Sequence, residues 1–156
     1  MLALLLAGAA TPQYPDIAFD LIAMGMADQE ARFRMIRTMS EPNSPMTRIA
    51  SADVMREDRE NTERLRAIVE QIGWPTVSKV GREASNVAWL LAQHADARRD
   101  LQAKWLGMMT PYLGTGEVSD SNYAYLWDRV AVGQGRRQRF GTQMRAENGR
   151  LFGAPG

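Results

Sequence analysis

The feature that most constrains this chain is a long amphipathic repeat that stops at Gly73-Trp74-Pro75. Counted at 100° per residue from Val54, the residues Leu65, Ile68, Val69 and Ile72 cluster within about 60°. Arg56, Arg59, Glu60, Glu63, Arg66 and Glu70 take the other side. The pattern predicts a helix over about 52–72 with one buried face. Gly73 stands where a left-handed cap would end it, and Pro75 forbids its resumption. Trp74, between them, is either a core plug or one wall of a pocket.

Three more helices follow from the same periodicity. One starts near Pro15, a residue suited to a first helical turn, and runs to about Met39, with Leu21, Met24, Ala31 and Met35 within about 40° of Ile17. Another starts near Arg82 and runs through Asp96, its pattern continuing to Met109; Leu90, Leu91, His94, Leu101 and Trp105 share the face of Val87. The last is capped by Ser119 or Ser121, buries Leu126, Trp127 and Val130, and ends over 133–135. Residues 41–45, with two prolines around polar turn formers, read as a loop, and residues 78–81 as a polar bend. Alternation begins at Gln138, and Asn148-Gly149 signals a type I′ turn pairing 145–147 with 150–152. The expected fold is therefore mainly α: a four-helix compact domain with a small C-terminal β-hairpin, spanning 13–156.

Composition narrows the function classes. A chain of 156 residues fits one domain, and the absence of cysteine excludes thiol chemistry and cysteine metal sites. A net charge of +1 offers no bulk attraction to nucleic acid, so no nucleic-acid partner is expected. No segment approaches the ~20 apolar residues that span a bilayer. The apolar run 2–6 followed by Ala7-Gly8-Ala9 reads as the remnant of a secretory signal over 1–12, which implies export. The sequence specifies neither a cofactor nor an oligomeric state.

Polar residues on apolar faces carry the chemistry. The first helix puts Asp28 and Arg32 inside its stripe, and the second puts Asp58 and Asn61 inside its own. Such groups form either structural ion pairs or a site, because a desolvated lone charge costs several kcal/mol. His94, the only histidine, sits near the centre of its apolar face and is the obvious general acid or base. Asp96, on a regular helix, points the opposite way, beside Trp89 and Gln93. Without a spacing such as HExxH, no metal site is expected. Asp128 and Arg129 flank the last helix's apolar face, and the arginines from 129 to 150 make that end locally basic, a solvated face or a seat for an anion.

In order, DQxxR (Asp28, Gln29, Arg32), DxxN (Asp58, Asn61), GWP (Gly73, Trp74, Pro75), VG (Val80, Gly81), QHAD (Gln93, His94, Ala95, Asp96), YLxDRV (from Tyr125 to Val130) and QxFGTQ (from Gln138 to Gln143) make a specific set. Over about residues 20–150 the chain thereby resembles an uncharacterised bacterial domain family, a domain of unknown function. The resemblance implies export and a further polar segment after the hairpin, and supplies no reaction. The residues themselves give two readings. In the first, His94, Asp58 and Asp28 are catalytic and Arg32, Asn61, Trp74, Gln93, Asp128, Arg129 and Gln143 bind ligand, in a small hydrolase or lyase acting on a polar small molecule or cell-envelope component. In the second, a non-catalytic binding or interaction module, the same network only fixes the fold.

Overall fold

A computed structural model describes residues 11–147 and 150–153; the first ten residues of the expected signal remnant lie outside them. Six helices build the domain among the described residues: α1 (Pro15–Thr38), α2 (Pro45–Ile72), α3 (Val77–Val80), α4 (Arg82–His94), α5 (Arg99–Met109) and α6 (Asp120–Gly133). A single 3₁₀ turn, Thr110–Tyr112, follows α5. None of these helices is long and apolar enough to cross a membrane.

Local chemistry explains most boundaries. Pro15 and Pro45 occupy the first turns of α1 and α2, where a missing N–H costs nothing. Ser44 Oγ accepts the Thr47 N–H at 3.1 Å, and Thr47 Oγ1 donates back to the carbonyls of Thr38 and Glu41. This capped corner starts α2 at Pro45 rather than near Ala52, the start that the loop-like composition had implied. At the other end Gly73 takes φ 71°, and its N–H bonds the Val69 carbonyl at 2.9 Å. Lys79 Nζ then donates to the carbonyls of Ile72 at 2.5 Å and Trp74 at 3.2 Å, holding the break in place.

α4 is the central element: α1 and α2 pack on it and on each other, while α5 and α6 pack together and also touch it. Gly25 permits a close approach of α1 to α4, since a Cβ there would lie 2.8 Å from Val87 Cγ1. The core between them holds Leu21, Met24, Leu65, Trp74, Leu91, Trp105 and Leu126. Trp74, only 2% exposed, is a plug.

The expected architecture of four helices and a hairpin is corrected to six helices. The third helix does not continue to Met109; it stops at His94 and a new one starts at Arg99. No glycine or proline marks this break. The buried Gln102 side chain holds it, Nε2 donating in the last turn of α4 to the carbonyls of Gln93 at 3.2 Å and of Ala92 at 3.1 Å, the latter also accepting the Ala95 N–H. The polar bend over 78–81 contains a helical turn, α3, because Glu117 accepts the Ser78 N–H at 2.9 Å and its hydroxyl at 2.8 Å. Nor does β structure form part of the architecture. Met144–Glu147 and Arg150–Gly153 pair antiparallel with each other alone, Met144 opposite Gly153, and two four-residue strands do not make a layer. The Asn148-Gly149 turn lies outside the described residues.

Candidate functional site

Three helices bring four polar side chains together. Asp28 and Arg32, one turn apart on the inner side of α1, meet His94 at the end of α4 and Asp58 from α2. His94 Nδ1 lies 2.8 Å from Asp28 Oδ1 and 3.1 Å from Arg32 Nε. Arg32 Nη2 donates to Asp58 Oδ1 at 2.5 Å, and Gln29 Nε2 donates to the second Asp28 oxygen at 2.8 Å. Asp28 is 1% exposed, whereas His94, Arg32 and Asp58 keep 19%, 22% and 25% of their side chains open to solvent.

Two groups compete for His94 Nδ1. A lone pair there would face the carboxylate oxygen at 2.8 Å, so we assign the proton to Nδ1, donating to Asp28. The Arg32 Nε–H is then left to Asp28, whose oxygens lie 3.3 and 3.4 Å away. Nε2 carries the lone pair, and among the described residues it has no hydrogen-bond partner.

The two carboxyls are pushed apart. Burial works to raise Asp28, but the His94 hydrogen bond, the charges of His94 and Arg32 and the Gln29 amide outweigh it and hold Asp28 below the ordinary range. Asp58 lies above its ordinary value despite the short contact with Arg32. Burial dominates there, and the negative charges of Asp28 and Asp96 add to it. Asp28, Asp58 and His94 offer ligand atoms within 4.8 Å of one another, a spacing compatible with a metal ion. Arg32, however, donates to both carboxylates and lies 3.1 Å from the imidazole, so a fixed guanidinium already supplies the positive charge that a cation would bring.

His94 lies between two cavities. The larger, about 320 Å³, is lined by Trp89, Gln93, His94, Tyr125, Arg129 and Gln143 among others. The smaller, about 230 Å³, is lined by Asp58, Thr62, His94 and Asp96 with Met55 at its edge. Beside the larger one, Trp89 Nε1 and Gln93 Oε1 are buried without partners among the described residues, an unmet donor and an unmet acceptor one turn apart on α4. Tyr125 packs edge-on against Trp89, centroids 6.2 Å apart.

Of the residues expected to act together, His94, Asp28, Arg32 and Asp58 form the network, and Gln93, Arg129 and Gln143 line the larger cavity. Arg129 is already engaged. It holds Asp96 through Nε at 2.9 Å and through Nη2, and donates to Gln143 Oε1 at 3.3 Å. Three expected ligand residues lie elsewhere. Trp74 is in the core; Asn61 is 2% exposed and bonds Glu57 at 3.1 Å; Asp128, fully buried, accepts five hydrogen bonds from Arg139, Phe140 and Thr142. Asp96, expected to point away, lines the smaller cavity with His94, because α4 ends before reaching it. Trp89 and Tyr125 were missed as cavity residues; their only signal was an aromatic on a polar side of its helix.

No curated protein and no solved structure matches the chain. Residues 15–154 match the family of unknown function DUF6624, and the chain belongs to that family.

Proposed function

We propose that this protein is a small enzyme of acid–base chemistry, a hydrolase or lyase acting on a polar small molecule or cell-envelope component, with His94 as its base and acid. The observation that carries the reading is the condition of the imidazole. Nδ1 is fixed by buried Asp28 at 2.8 Å, Nε2 is unpartnered among the described residues, and the ring lines both cavities. Nε2 takes a proton from water or substrate, Asp28 stabilises the imidazolium, and the same nitrogen returns the proton to the leaving group. Asp28 is thus a positioning residue, and Arg32 helps to keep it ionised. Gln93 and the Trp89 N–H, which has no partner among the described residues, supply hydrogen bonds to the substrate, and Gln143, held by Arg129 and Tyr125, closes the pocket. Because Asp96 neutralises Arg129, the cavity suits a neutral ligand bearing hydroxyls or amides better than a strongly anionic one.

One observation favours the second reading, a non-catalytic binding module: Asp28, Arg32 and Asp58 satisfy one another, as a purely structural network would. The two readings separate when wild type and His94→Gln are compared on amide, ester and glycoside substrates, with melting temperature read in parallel. Wild-type turnover that drops by about 10²–10⁴-fold in a folded His94→Gln supports catalysis. Equal turnover in both, or none in either with identical ligand-induced shifts, leaves the binding module. Export belongs to the same proposal. Immunodetection in envelope or culture-supernatant fractions checks it, and a signal confined to the cytosol refutes it.

A further inference from the structure

α1 has a second face, which no other element covers among the described residues. Phe19, Met26 and Phe33 recur at heptad spacing along it and are 74%, 70% and 59% exposed. Ile36, 54% exposed, extends the stripe, while Met46 and Ile49 on α2, 64% and 58% exposed, line a hollow with Arg34 and Arg37. A row of large apolar side chains this exposed along one helix face marks a contact.

The charges beside the stripe identify the partner. Asp16 and Asp20 flank its N-terminal end and Arg34 and Arg37 its C-terminal end, all four exposed. Among the described residues Asp16, Asp20 and Arg37 make no ion pair; Arg34 meets only Glu30, at 3.2 Å. At 100° per residue all four fall on the same flank of the stripe. That placement is self-complementary in one arrangement. When two copies of α1 cross antiparallel about a two-fold axis at Met26, Phe19 faces the other copy's Phe33, and like flanks meet. Asp20 then lies beside the second Arg34, Asp16 beside the second Arg37, and Glu30 opposite Ala23. Ala23 and Ala27, both exposed, leave room for close approach. A parallel pairing would set the charged flank against the uncharged one. The acidic N-terminal half also disfavours anionic lipid, whose helices carry Lys and Arg along the polar face.

We infer that the protein is a homodimer joined through an antiparallel α1–α1 contact centred on Met26, sealed by Asp16 and Asp20 against Arg34 and Arg37. Sedimentation equilibrium on the full chain tests it. Wild type should dimerise, while Arg34→Glu/Arg37→Glu and Asp16→Arg/Asp20→Arg should each weaken the dimer at least about tenfold. An equimolar mixture of the two variants should restore it. Since every altered residue is exposed, circular dichroism should show unchanged helicity in both. The chain has no cysteine, so Met26→Cys should cross-link to itself. Phe19→Cys should cross-link to Phe33→Cys but not to itself. A monomeric wild type overturns the inference, whether or not it binds vesicles. So does a dimer that ignores the charge reversals, or a mixture that stays monomeric.

Discussion

Asp28 is the residue whose environment the network is built to satisfy. It is 1% exposed and ionised, held by an imidazole, a guanidinium and an amide. Replacing Arg32 by Met removes the permanent positive charge beside it, and we expect a loss of about 3 kcal/mol in denaturant unfolding. The double variant Asp28→Asn/Arg32→Met should lose less than the sum of the single changes, since a neutral Asn needs no counter-charge. Strictly additive losses would mean that the two do not act as a pair. At this scale the helical wheel was informative: Asp28, Arg32, Asp58 and His94 were placed inward by position alone, because the period of an α-helix is set by its backbone. A wheel gives direction and not distance, which is why Asn61, one turn from Asp58, was grouped with a network whose hydrogen bonds it does not share.

Elements depend on side chains far away in the chain. The α4–α5 break rests on Gln102, fully buried, whose amide also donates to Asp96 at 3.2 Å. Gln102→Leu should cost about 2 kcal/mol, because the Gln93 carbonyl loses this donor and the Ala92 carbonyl keeps only the Ala95 N–H. An unchanged unfolding midpoint would show that the break is held by something else. The loop after α6 is clasped in the same way by Asp128. Asp128→Ala should cost about 3 kcal/mol and sharply accelerate amide exchange at Arg139, Phe140 and Thr142, with α1 and α2 protected as before. The start of α1 at Pro15, the end of α2 at Gly73 and the Ser119 cap of α6 were legible, whereas the Ser44-Pro45 start of α2 was hidden in a loop-like composition. The α4–α5 break and the Asp128 clasp were not legible either, since Ala95, Asp96 and Ala97 carry no breaking signal and Asp128 reads as a residue on a helix.

Across the whole molecule the carboxyls set the response to acid. Asp28, Asp96 and Asp128 are held below their ordinary values, in each case against burial: by His94 and Arg32, by Arg129, and by loop N–H groups. Each contributes stability that is present above about pH 4 and lost as pH falls through its folded value. Asp58 has the opposite sign. Its raised value gives stability present below about pH 4 and lost as pH rises through the folded value. The urea midpoint should therefore fall steeply below about pH 4, while Asp58→Asn should flatten the decline above it. A midpoint independent of pH across that range would contradict the placement of these charges.

The sequence by itself determined that the domain is mainly helical, where α1 and α6 run, how α2 ends, and which polar groups turn inward. These follow from local backbone chemistry and a fixed period. The tertiary structure decided what those groups meet. Arg32 bridges two carboxylates, Asp96 turns to Arg129 and a cavity, and Gln102 splits one apparent helix into two. Each is a contact between residues distant in sequence or held by packing, where the partner's position, rather than the residue's own propensity, sets the free energy.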